Sequence, residues 1–164
     1  MGQFSGQLWL YRDIVGSHIM STAFENAIAF VKALDGYQGW DGCKQYVADG
    51  ATFFAKVRIL REEGIDSIEK YCNWLALMGN TYFDSSYEIK GMSFANNTAI
   101  IYATFTGKQI EVYNNNPSNN EYVSTDYVYI ITMEEKQDEN HDPKIIIFGK
   151  LWNDCEWQYD LGWQ

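Results

Sequence analysis

Residues 144–164 read KIIIFGKLWNDCEWQYDLGWQ. The run from Lys144 to Trp152 is apolar and rich in β-branched residues, the composition of a buried strand. The residues after Trp152 are no frayed tail, because Trp157 and Trp163 stand there among Asp154, Glu156 and Asp160. Indole rings bury large apolar areas. The segment therefore reads as a long last strand whose aromatic exit closes one end of a small, ligand-sized cone. Working back from it, Tyr122–Met133, Thr98–Thr106 and Tyr87–Phe94 also read as strands. Asn96-Asn97 fits a tight hairpin turn, since asparagine tolerates a left-handed backbone. The Asn-rich run 114–120 and the charged run 134–143 read as solvated connections.

Ahead of these strands the period is helical. Thr22 with Glu25 makes a capping box, Phe24, Ala27, Ile28, Val31 and Leu34 share one face, and Gly36 suits the stop. The first helix is thus expected over 22–35. A short second helix is expected over 41–49, with Tyr46 and Val47 inward, and a strand or extended lead-in over 52–59. Asp66 with Glu69 opens a third helix, whose Ile68, Tyr71, Cys72, Leu75 and Met78 form one stripe and Trp74 and Leu77 a second. A helix apolar on two faces is mostly buried. Three helices followed by hairpin-connected strands predict an α+β fold, a curved, mostly antiparallel sheet wrapped into a cone around N-terminal helices.

The chain of 164 residues shows no linker and is expected to form one domain over 21–164. Gly16–Met20, GSHIM, looks like a cloning remnant, so residues 1–20 read either as that or as an N-terminal arm. The composition, 46% hydrophobic and 16% aromatic, is enough for a packed core with a cavity. A net charge of −10 disfavours nucleic acid and anionic membranes as partners. Cys43, Cys72 and Cys155 show no metal-ligand spacing and read as reduced thiols, which fits a cytoplasmic protein. A disulfide between two of them stays open. No metal or cofactor motif occurs, nor a Ser-His-Asp set or a phosphate-cradling glycine loop.

Four stretches carry a resemblance: SIEKYCNWL (67–75), TAIIYATFTG (98–107), STDYVYIITM (124–133) and KIIIFGKLWNDCEWQYDLGW (144–163). In this order and spacing they resemble the SnoaL-like family of the nuclear transport factor 2-like superfamily, over about residues 21–163. The resemblance implies a cone-shaped fold, a ligand bound without cofactor, and an acid/base role for a histidine and an aspartate. The histidine would come just after Phe105-Thr106-Gly107, where this chain has Lys108-Gln109; its histidines are His18 and His141. The aspartate's role would fall on Asp126 or Asp154.

Asp126 shares a strand face with Val128 and Ile130. If that face lines the cone, desolvation raises the carboxyl pKa and suits it to acid/base work near neutral pH. If it faces outward, toward a dimer partner, then Thr125, Tyr127, Tyr129 and Ile131 line the inside and supply hydroxyl donors. Asp154 reads as a carboxylate at the mouth or as a strand-end cap. Lys150 reads as a ligand cation, an acid's partner or a surface residue. Tyr46, Tyr71, Trp74, Tyr102, Tyr127, Tyr129 and Trp152 are candidate ligand-binding residues. The expectation is a homodimer whose cone binds a small hydrophobic or aromatic molecule, with isomerase, cyclase or dehydratase chemistry if it is an enzyme. The alternative is a non-catalytic carrier or dimerising assembly module.

Overall fold

A computed structural model describes residues 21–163. Residues 1–20, including the GSHIM run and His18, lie outside the described residues. The elements are α1 (Thr22–Asp35), α2 (Gly39–Cys43) with a 3-10 turn (Lys44–Tyr46), β1 (Val47–Ala55), α3 (Arg58–Glu62), and α4 (Ile68–Leu77) running into a π turn (Met78–Tyr82). After these come β2 (Phe83–Ala95), β3 (Thr98–Gln109), β4 (Tyr122–Met133), β5 (Ile145–Trp152) and α5 (Asp154–Asp160). The five strands form one sheet in the order β1-β5-β4-β3-β2. β1 runs parallel to β5, and the other pairs are antiparallel. The fold is α+β, with helices on the inner side of a curled open sheet. Among the described residues no helix is long and apolar enough to cross a membrane.

Caps fall one residue away from their expected positions. Ser21, not Thr22, caps α1, its Oγ accepting from the Phe24 amide at 3.2 Å. Ser67, not Asp66, caps α4 by accepting from the Lys70 amide at 3.2 Å, which leaves Asp66 to pair with Lys70 at 2.8 Å. The largest departure from the sequence reading lies between them. The second helix ends at Tyr46 and β1 already begins at Val47, because parallel pairing with β5 draws Val47–Ala55 into the sheet. Arg58–Glu62, expected in part as strand, is helical. Asn96 and Asn97 do turn the β2–β3 hairpin, with φ of 50° and 56°.

Strand parity sets the two sheet faces. On β4, Val123, Tyr127, Tyr129, Ile131 and Met133 point inward and are buried; on β3, Ala99, Ile101 and Ala103 do the same. On β5 the inward set is Phe148, Lys150 and Trp152. These side chains meet the apolar face of α1 (Phe24, Ala27, Phe30, Val31, Leu34) and that of α4 (Ile68, Tyr71, Cys72, Leu75). Cys43, Cys72 and Cys155 are free thiols.

Candidate functional site

Past its exit from the sheet the chain does not fray. Asn153 caps α5, a short helix that swings Trp157 back under the sheet, and Trp163 packs against the core after it. Trp157 packs on Trp152 at 4.9 Å between ring centroids and on Phe83 at 5.5 Å. Together with Tyr37, Trp74, Phe105 and Tyr127 these rings line a cleft. Trp157 is buried, and its indole N–H has no hydrogen-bond partner among the described residues. A buried donor left unpaired costs free energy unless a ligand or water meets it.

Apart from tyrosines, one ionisable side chain among the described residues lines this cleft. Lys150 is only 4% exposed, so its ammonium group stands among aromatic rings. Its Nζ lies 4.4 Å from the centroid of Trp152 and 4.9 Å from that of Tyr127. It donates to the Tyr71 hydroxyl at 2.9 Å. Among the described residues no carboxylate lies within ion-pairing distance of it. Burial strips water from the ammonium and lowers its pKa from 10.5 to about 7, against the pull of Asp35 and Asp154.

Asp35, in the last turn of α1, lies behind the cleft wall. Its Oδ2 accepts from the Tyr127 hydroxyl at 3.2 Å and its Oδ1 from the Tyr129 hydroxyl at 3.1 Å. Burial raises its pKa from 3.8 to about 7; the Tyr129 bond, the charge of Lys150 and the Tyr127 bond each hold it down in part. The Tyr71 and Tyr129 oxygens are 3.3 Å apart. Because Tyr129 spends its own proton on Asp35, Tyr71 must be the donor of that contact. The chain Lys150–Tyr71–Tyr129–Asp35 is therefore continuous, and every donor in it points toward the carboxylate. Desolvation raises all three phenols, Tyr71, Tyr127 and Tyr129, well above their ordinary range, so they stay protonated and serve as donors and relays.

Backbone detail shapes the mouth. Tyr37, just past α1, has φ of 58°, a left-handed conformation uncommon for a non-glycine residue. Its hydroxyl bonds to Ser85 on β2. Gly79 lies under its ring, so close that a Cβ there would overlap it. Among the described residues no group of three His, Cys, Asp or Glu is placed to hold a metal ion.

The candidate residues named from the sequence separate into two groups. Tyr127, Trp74 and Trp152 line the cleft, and Tyr71 and Tyr129 stand behind it in the proton chain. Asp126 and Tyr102 are instead on the outer sheet face, correcting the alternative that put Asp126 in the cone wall. Asp126 accepts from the Tyr102 hydroxyl at 2.6 Å and the Thr104 hydroxyl at 2.5 Å, with Lys90 at 3.6 Å. Those two hydroxyls, more than Lys90, hold its carboxyl below the usual range. Asp154 is buried as a cap, its Oδ2 accepting from the Ile59 amide at 2.7 Å and from Gln158 at 3.2 Å. Tyr46 packs at the edge of the core, away from the cleft.

The sheet order, the helices packed inside its curl and the cleft between them can be compared with known proteins. No family model matches the sequence, and no curated protein matches it. Solved structures do. AclR from Streptomyces galilaeus, provisionally described as a hydroxylase, superposes with a TM-score of 0.65 at 14% identity, over 88% of this chain and 98% of that one. A SnoaL-like polyketide cyclase from Agrobacterium tumefaciens gives 0.58 at 14% identity, over 87% and 100%. The chain has the NTF2-like fold of SnoaL-like proteins. An NTF2-like protein of unknown function from Burkholderia pseudomallei has it too, at 0.61 and 10% identity over 87% and 98%. At such identities the likeness speaks for the NTF2-like fold, and the same fold carries different activities.

Proposed function

We propose that this NTF2-like chain binds a small hydrophobic or aromatic molecule in its cleft, without a cofactor, and moves a proton on it. One observation carries the reading: the amine in a mostly aromatic cleft, Lys150, is connected through Tyr71 and Tyr129 to a buried carboxyl. A group whose pKa lies near neutrality is matched to general acid/base work. A ligand carbonyl or enol oxygen would meet the Trp157 N–H. Lys150, as the free amine, would take a proton from the adjacent carbon and return it elsewhere, with Asp35 adjusting the charge through the tyrosines. Isomerisation, cyclisation and dehydration all begin with such a transfer. The role expected of Asp126 or Asp154 passes in this reading to Lys150, with Asp35 as a positioning residue. The names of the solved structures, cyclase and hydroxylase, support ligand chemistry in this fold without selecting the substrate.

The test is solvent exchange. 2-Tetralone in D2O should lose its α-hydrogens faster with the protein than without it, as monitored by NMR. Lys150→Met should abolish the acceleration and Asp126→Asn should leave it intact. Acceleration that survives in folded Lys150→Met would refute the assignment.

A non-catalytic dimerising module is the second reading, and the outer sheet face favours it. Phe54, Ile100, Tyr102, Ile147 and Leu151 are all exposed there. We place the homodimer contact on that face; it is compatible with a working cleft on the other. Light scattering of Ile100→Asp should show a monomer where the unsubstituted chain shows a dimer.

A further inference from the structure

Acid/base work does not use the most distinctive property of Lys150. A lysine in a dry aromatic site, near neutral in charge, is also a nucleophile. Three observations bear on this. Lys150 lines the cleft, so a ligand held there can reach it. Its Nζ is not tied up in an ion pair among the described residues, and its one hydrogen bond, to Tyr71, uses an N–H and leaves the nitrogen lone pair free in the amine form. Trp157 lines the same cleft, and its buried indole N–H has no partner among the described residues, leaving a donor that a carbonyl oxygen could take up.

We propose that Lys150 forms a Schiff base with a small aromatic or polyene aldehyde or ketone held in the cleft. The inference rests on the ligand-binding reading above and adds the substrate class and a covalent step. The amine lone pair attacks the carbonyl carbon while the C–O π bond opens onto oxygen. The resulting ammonium loses a proton to Tyr71 as Tyr71 passes its own to Tyr129 and Tyr129 passes its own to Asp35. The carbinolamine oxygen takes up the proton that Asp35 returns along the same chain and one more from solvent, and the nitrogen lone pair expels it as water. The hydrogen still on nitrogen stays there, so the product is an iminium, with one solvent proton taken up overall. No electrons are gained or lost. The iminium withdraws electrons from the adjacent carbon and eases loss of its proton to water; in this covalent step Lys150 is the electron sink, in place of the free base of the reading above. The lowered pKa of Lys150 supports the step, because more of the amine is free at neutral pH.

The experiment is reductive trapping with 2-naphthaldehyde and cyanoborohydride at pH 7, with peptide mapping of the product. Tryptophan quenching by the same aldehyde, without reductant, is measured in parallel. The expected result is one adduct, on the peptide carrying Lys150, at least tenfold more abundant than on any surface lysine. Its pH profile should have a midpoint near 7. Tyr71→Phe should slow trapping and shift that midpoint, while leaving quenching unchanged, which a merely structural role would not do. Adducts spread over surface lysines with Lys150 unmodified overturn the covalent step. If quenching persists in that case, the cleft still binds ligands and only the Schiff base is lost. If quenching is absent as well, both readings fail.

Discussion

Replacing Lys150 with methionine should stabilise the protein while removing its chemistry. Methionine matches the length of the lysine stem and has no charge to desolvate. Burial moves the Lys150 pKa from 10.5 to about 7, and at about 1.4 kcal/mol per unit this places roughly 4 kcal/mol of destabilisation on the fold at pH 7. Two losses offset the gain: the bond to Tyr71, worth about 1 kcal/mol, and the charge that helps Asp35 to ionise. A net stabilisation of about 2 kcal/mol remains, or roughly 4–8 °C in Tm for a chain of this size. The sign comes from proton uptake. Between pH 7 and 10.5 the unfolded chain holds a proton on this lysine that the folded chain has released, so wild-type stability rises across that window. The advantage of methionine is therefore largest at pH 7 and below, and fades toward pH 10.5. Thermal melts of both proteins at pH 6, 7 and 10 measure it. A variant less stable than wild type at pH 7, or a difference that is the same at pH 7 and 10, would refute the reasoning.

Other perturbations test other parts. Asp35 gains its raised pKa from burial, so its share of stability is present below about pH 4 and is lost as pH rises to about 7. Asp35→Asn should flatten that part of the stability–pH curve in denaturant titrations. It should also move the Lys150 midpoint below 7, since Lys150 loses the charge that supports its protonated form. Gly79→Ala drives a methyl into the Tyr37 ring and should cost about 1–3 kcal/mol and weaken aldehyde quenching, since Tyr37 is anchored to Ser85. Gly149→Ala meets the ring of Phe54 on the outer face, where Phe54 is 38% exposed and can swing away; its melt should shift far less. Asp126→Asn, on the outer face, should leave trapping and quenching at wild-type levels.

Much of the fold was legible because its signals are local. Inward parity on β4 places Tyr127 and Tyr129 together, and the Asn96-Asn97 turn fixes the β2–β3 register. β1 is only half legible because its partner, β5, lies nearly a hundred residues away and no local period announces parallel pairing. The helix at Arg58–Glu62 is short, and its Ile59 amide is capped by Asp154 from the far end of the chain. The site was legible in its aromatic rings and illegible in its charges. Asp126 drew attention by matching a motif, and its alternating neighbours left the choice of face open. Lys150 carried a usable signal: it shares parity with Phe148 and Trp152 in an apolar strand, and a charge on an inward face calls for a reason. Asp35 carried a fainter one, a carboxylate in the last turn of a helix, where the helix dipole opposes it. Neither signal says that the two are joined through tyrosine hydroxyls, because that link crosses α1, α4, β4 and β5.

The central claim is that Lys150 is a near-neutral amine inside the cleft. Its titration by NMR of lysine labelled at the ε-carbon tests this most directly. One signal should titrate near pH 7 and disappear in Lys150→Met. If every lysine signal titrates above pH 10, Lys150 remains charged at neutral pH and the account of the cleft as a chemical site is contradicted.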